Sequence, residues 1–182
     1  MRRVSVVGVS GSGKTTFARA LAQRLNSPLI ELDGLMHQPG WVPKPDDHFK
    51  REVEQATAQD TWVVDGNYRQ VVIDGPVWQR ADTVVWVDPP RRTIMRQLFV
   101  RTVRRTLTRE VLWNGNREPL SNLTSLDPER SVMAWAWSTY DGLTDRYATA
   151  MDDPKWRHLK FVRLRSNAEA RRWLGSISQP VC

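Results

Sequence analysis

The octapeptide Gly8-Val9-Ser10-Gly11-Ser12-Gly13-Lys14-Thr15 restricts the fold of this chain more than any other stretch. It fits G-x-x-x-x-G-K-[ST], and its flanks fit the context that this pattern needs. Val4 to Val7 before it read as a buried strand. Lys14 to Leu25 after it read as a helix, with Phe17, Leu21 and Leu25 recurring every fourth residue. Glycines let main-chain amides turn inward around an anion, and the N-terminus of the helix adds its dipole. Gly8, Ser10, Gly11, Ser12, Gly13, Lys14, Thr15 and Thr16 are therefore candidate phosphate contacts. Lys14 reaches toward the terminal phosphates, and the Thr15 hydroxyl suits Mg²⁺.

Further along, short apolar runs alternate with helical patterns. Strands are expected at Pro28 to Leu32, Trp62 to Val64, Thr83 to Val87 and Leu159 to Leu164. Gly34 to Pro45, with three prolines and two glycines, is expected to be a loop. Asp46 is expected to cap a helix with Phe49, Val53 and Ala56 on its apolar face. An Arg-rich helix should run from Arg91 to about Trp113, followed by a polar loop from Asn114 to Pro128. Helices are also expected from about Glu129 to Met151 and from Ala168 to Leu174. This alternation implies βαβ units, a mainly parallel sheet, and a single domain over 1–182. Ligands of such sheets bind beyond the carboxyl ends of the strands. The residues to inspect are then Gly8 to Thr15, Asp33, Asp65 to Arg69, Asp88 and Ser166.

Composition narrows the partners. The 182 residues carry 27 Lys and Arg against 20 Asp and Glu, a net +7, and 22 of the 27 cations are Arg. That favours anionic partners, such as phosphate, nucleotide or nucleic acid. The one cysteine is Cys182, so no disulfide framework or Cys-based zinc site forms within the chain. The three histidines lack metal-ligand spacing. No apolar run approaches a membrane span, and a cytoplasmic protein is expected. Most of the nine Trp are expected to be packing.

Gly8-x-x-Gly11-x-Gly13-Lys14-Thr15-Thr16 resembles the P-loop of the adenylate kinase-like small-molecule kinases. Trp62-Val63-Val64-Asp65-Gly66-Asn67-Tyr68-Arg69 is similar to the Asp-Gly-x-x-Arg element after their third strand. Ala81-Asp82 with Val84 to Pro90 looks like their fourth strand and the approach to their lid. Leu32-Asp33-Gly34-Leu35-Met36-His37, Pro39-Gly40-Trp41 and Asp65-Gly66-Asn67-Tyr68 look most like a bacterial subgroup labelled DNA topology modulation proteins.

The resemblance implies an α/β, three-layer P-loop NTPase/kinase fold. Its five-stranded parallel sheet has the order 2-3-1-4-5, with an acceptor cap at 34–60 and an Arg-rich helical lid at about 91–128. ATP and Mg²⁺ are the implied cofactors. Thr15 and Asp65 are the implied metal side, with Asp65 holding the ion directly or through water. Asp33 resembles the carboxylate that accepts a hydroxyl proton, although an Asp-Gly pair leaving a strand is equally a turn. Arg69 resembles the residue that grips an acceptor phosphate in nucleoside monophosphate kinases, so Asp33 and Arg69 point to different acceptors. His37 and Trp41 are candidate acceptor contacts within the cap. Ser166 and Asn167 resemble the loop that lines adenine.

From Arg91 to Arg109 there are seven Arg and no acid. Arg101, Arg105 and Arg109 share a helix face. Arg101 and Arg105, then Arg96, are the leading candidates to stabilise a transferring phosphoryl group, alongside Lys14. The expected activity is transfer of the ATP γ-phosphoryl to a small nucleotide or hydroxyl compound. The alternatives are a nucleic-acid-binding P-loop protein and an NTP-binding regulatory switch with weak ATPase activity.

Overall fold

A computed structural model describes residues 1–129 and 131–177; Cys182 lies outside the described residues. Five strands form one sheet: β1 (Arg3–Val7), β2 (Leu29–Glu31), β3 (Trp62–Asp65), β4 (Thr83–Val87) and β5 (Lys160–Leu164). Their order is β2-β3-β1-β4-β5, and every pairing is parallel. β3 and β4 are buried along their whole length, as strands covered on both faces must be.

The pleat sorts side chains into two cores. Val4, Val6, Val63 and Val85 pack on one face with Phe17 and Leu21 of α1 (Lys14–Leu25) and Ala170 of α9 (Asn167–Ser176). Val7, Trp62, Val64, Val84 and Trp86 pack on the other. There they meet Phe49 of α3 (Asp46–Ala56), Trp78 of α5 (Pro76–Arg80), Leu98 of α6 (Arg91–Thr108) and Tyr147 of α8 (Val132–Asp152). Trp62, Trp78 and Trp86 are wholly buried, so these three tryptophans are core. The Trp62 and Trp78 indole N–H groups find the Thr57 carbonyl and the Ser5 hydroxyl. Val6 pairs with Asp65 on one side and with Val85 on the other. This register brings Gly8, Asp65 and Asp88 out together at the carboxyl ends of β1, β3 and β4.

The structure departs from the sequence expectations in the connections. The expected loop over 34–45 contains α2 (Leu32–Met36) and a 3-10 turn (Pro39–Trp41). Leu32 and Met36, four apart, are both buried, and that burial outweighs the glycine between them. Pro45, not Asp46, sits at the N-cap of α3. α4 (Arg69–Val72) and α5 fill the β3–β4 connection, where no helix was expected. α6 stops at Thr108, short of Trp113, because Arg109 turns left-handed with φ 49°. α7 (Ser121–Thr124) lies inside the expected polar loop. α8 begins at Val132, where the Ser131 hydroxyl accepts from the Ala134 amide.

Candidate active site

After β1 the chain turns through Gly11 (φ 88°) and Gly13 (φ 92°) into α1. Both values lie in the left-handed region that favours glycine. Gly11 also lies against α6: a Cβ there would fall 2.7 Å from Leu98 Cβ and 2.8 Å from the Ile94 carbonyl. No side chain caps α1 and no acid lies in its first turn, so its N-terminal amides are left for an anion to meet. Lys14 is buried in this mouth, only 8% exposed.

The loop is fastened by a residue that sequence reasoning left without a role. Asn67, just past β3, accepts from the Gly8 amide at 3.1 Å and donates to the Gly8 carbonyl at 2.5 Å. The Tyr147 hydroxyl of α8 donates to the same Asn67 Oδ1 at 3.0 Å. The Asp-Gly-Asn-Tyr run directly after a strand was the available signal for it.

Asp65 ends β3 beside the loop and is 4% exposed. Burial pushes its carboxyl above the usual range. The Lys14 charge and a hydrogen bond from Thr15 pull it back, while Asp33 and Glu31 push it further up. Its Oδ1 is buried without a partner. No group of three or more His, Cys, Asp or Glu able to hold a metal occurs among the described residues. Mg²⁺ does not need one, since it usually takes one or two carboxylates plus substrate phosphates. An orphaned, buried carboxylate oxygen next to Thr15 fits that need.

Asp33 sits in the first turn of α2 and lines the same cleft as the loop. The Tyr68 hydroxyl donates to its Oδ1 at 2.7 Å and lies 3.2 Å from His37 Nε2. His37 in turn lies edge-on to Trp41, with ring centroids 5.2 Å apart. Asp33, His37 and Trp41 all line the cleft. Arg69 does not. Its Nε donates to Asp74 at 2.7 Å, on the exposed side of α4, so the expected phosphate grip is not assembled.

On the lid side, Arg96, Arg101, Arg104 and Arg105 of α6 line the same cleft. Arg101 lies 3.9 Å and Arg105 3.7 Å from the carboxylate of Glu118, whose side chain is 5% exposed. Those separations are ion-pair distances without hydrogen bonds, and both Nε atoms are buried without a hydrogen-bond partner, Arg105 Nε lying 3.6 Å from Glu110. Burial and the neighbouring Arg105 charge lower the Arg101 pKa, while Glu118, Asp33 and Glu110 hold it up. Arg91 turns away from the cleft onto Asp141 and the Trp137 ring. Asn167 lines the cleft, but the Ser166 hydroxyl is used as the N-cap of α9. Asp88 is held by Arg163 at 2.6 Å, and that guanidinium lies 3.9 Å from the Trp86 ring centre. Asp88 is therefore a structural acid.

The expected cap at 34–60 and the Asn114 to Arg117 turn are tied together by hydrogen bonds, and those partners are what the sequence did not foretell. The Trp113 indole N–H donates to Glu31 at 2.7 Å, and Arg19 grips the same carboxylate. The Asn114 side chain donates to the Gly34 and His37 carbonyls, and Asn116 donates to the Gln38 carbonyl. The Trp41 amide and indole donate back to Asn116 and Arg117. Trp41 and Trp113 share the lining of a cavity of about 1410 Å³ with the glycine-rich loop.

The sequence profile of the ATPase family associated with various cellular activities (AAA) matches residues 4–73, from β1 through the P-loop to α4. No curated protein matches the chain. Among solved structures, the chain is similar to a shikimate kinase from Acinetobacter baumannii in complex with shikimate. That likeness has 15% identity, covers 96% of this chain and 89% of the other, and has a TM-score of 0.54. It is also similar to a shikimate kinase from Bacteroides thetaiotaomicron, at 13% identity, with 96% and 94% covered and a TM-score of 0.56. No helix among the described residues is long and apolar enough to cross a membrane. The glycine-rich turn at the end of β1 and the order of the five parallel strands thus match the fold of the small P-loop kinases.

Proposed function

We propose that the chain is an ATP-dependent phosphotransferase whose acceptor is the hydroxyl group of a small molecule. One observation carries the reading: Lys14, Asp33, Arg101 and Arg105 line a single cleft, which brings a carboxylate, a lysine and two arginines to one space. A hydroxyl nucleophile must shed a proton as it attacks, whereas an acceptor phosphate is already anionic. A carboxylate in that cleft, with Arg69 turned onto Asp74, therefore favours a hydroxyl.

In this mechanism the P-loop amides and Lys14 hold the triphosphate. Asp33 takes the acceptor O–H proton as that oxygen bonds to the γ-phosphorus. The bond from phosphorus to the β,γ-bridging oxygen breaks, and ADP leaves with the electron pair. Arg101 and Arg105 exchange their loose contacts with Glu118 for the equatorial phosphoryl oxygens, where fixed positive charge matters most. Thr15 and Asp65 would hold Mg²⁺, which neutralises phosphate charge when bound.

The test is a screen with γ-labelled ATP and Mg²⁺ across nucleotides, sugars, shikimate-like alcohols and 5′-hydroxyl oligonucleotides. Label is expected on a small hydroxyl compound. Asp33→Asn should keep ATP binding and lose roughly 10²- to 10⁴-fold in transfer. Steeply salt-dependent DNA binding with no labelled product would overturn the reading.

A further inference from the structure

Tyr68 directly follows the residue that fastens the P-loop, and its hydroxyl lies between two groups. Asp33 Oδ1 is 2.7 Å away and His37 Nε2 is 3.2 Å away. A phenol has one proton to give. An ionised carboxylate can only accept, and a hydrogen bond to a charged acceptor is the stronger one. The proton therefore goes to Asp33. The phenolic oxygen is left as an acceptor toward His37, so His37 must carry its hydrogen on Nε2. His37 Nδ1 agrees: it is buried and has no partner, as the bare lone pair of that tautomer can be. Burial and the Asp33 charge hold the phenol proton on Tyr68 well beyond its ordinary range, so the donor is permanent.

Both rings are held from outside the trio. Phe49 of α3 packs edge-on against Tyr68 with centroids 5.1 Å apart, and Trp41 does the same for His37. No hydrogen bond to Asp33 Oδ2 is present among the described residues, so that oxygen is the one available to an acceptor. We infer that Tyr68 and His37 form a positioning relay: His37 Nε2–H orients the Tyr68 hydroxyl, and the hydroxyl fixes Asp33 with Oδ2 left to take the acceptor proton. The inference rests on the phosphotransferase reading of Asp33 and adds two residues to it. Neither residue touches the reacting atoms; both act through the carboxylate.

The first measurement needs no acceptor. Nitrogen-15 NMR of the histidine rings in the nucleotide-free protein should show His37 protonated on Nε2. Tyr68→Phe keeps the ring packing and removes only the hydroxyl, and it should abolish that preference. The second measurement is turnover of Mg-ATP with water as the probe acceptor. Tyr68→Phe should lower kcat by about 10- to 100-fold, the loss expected for a misplaced reacting group, with KM for ATP unchanged. His37→Gln, which keeps an N–H near the Nε2 position, should retain more turnover than His37→Ala. Wild-type His37 protonated on Nδ1, or a tautomer indifferent to Tyr68→Phe, overturns the relay. An inactive Asp33→Asn beside a fully active Tyr68→Phe also overturns the relay alone. A fully active Asp33→Asn removes the role of Asp33 itself and, with it, the reading on which the relay rests.

Discussion

Gly11→Ala tests whether α6 is seated on the P-loop. Two costs are expected. The φ of 88° at Gly11 is a conformation that L-residues enter at about 1–2 kcal/mol. The new methyl would also lie 2.7 Å from Leu98 Cβ and 2.8 Å from the Ile94 carbonyl, both on one turn of α6. A helix backbone cannot step aside as a flexible side chain can, so overpacking adds about 1–3 kcal/mol. The sum is about 2–5 kcal/mol. Gly40→Ala separates the two terms, because φ there is 75° but nothing lies within 4 Å of the added methyl. It should cost only the backbone share. Urea unfolding of the wild type and both variants reads the difference, provided the m-values agree. ATP affinity should also fall in Gly11→Ala, since α6 and the phosphate amides are displaced together. Equal stability of Gly11→Ala and Gly40→Ala would refute the seating of α6 on the loop.

Other perturbations probe other parts of the molecule. Lys14→Ala should abolish nucleotide binding, read by titration calorimetry, while the unfolding transition stays cooperative. Trp113→Phe keeps the ring over Gly34 but loses the indole bond to Glu31; about 1 kcal/mol of stability should go, and proteolysis between residues 109 and 120 should quicken. Asp82 accepts from the Arg2 and Arg3 amides and from the Thr83 hydroxyl. Partial burial would raise its pKa, but the Thr83 hydroxyl and those amides together hold it below the ordinary value. A depressed carboxylate contributes stability above its unfolded pKa and loses it as pH falls through its folded value. Asp82→Asn should therefore be less stable than wild type at neutral pH, and the gap should narrow on acidification below about pH 4. A gap that stays constant with pH would refute the assignment.

The sites differ in how far the sequence revealed them. The P-loop and α1 were legible because every requirement is local: glycines at set spacing, a lysine after them, and apolar residues every fourth position. The central strands were legible because continuous burial leaves continuous apolar runs. The arginines from Arg91 to Arg109 were legible in number but not in their partners. They looked like seven cations without acids, yet Glu110, Glu118 and Asp141 come back to them from later in the chain. Arg69 was ambiguous for a similar reason. Its sequence context suited a phosphate, and only the geometry of α4 turned it onto Asp74.

By itself, the sequence determined that this chain builds a parallel sheet with a glycine-rich turn at the carboxyl end of β1, because backbone conformation and side-chain period are written residue by residue. The tertiary structure decided which side chains meet around that turn and the cleft beside it. Asn67 reaches Gly8 across 59 positions, Tyr68 reaches Asp33 across 35, and Trp113 reaches Glu31 across 82. Such partners carry no local signature. They meet only after the sheet has set which strand ends stand side by side.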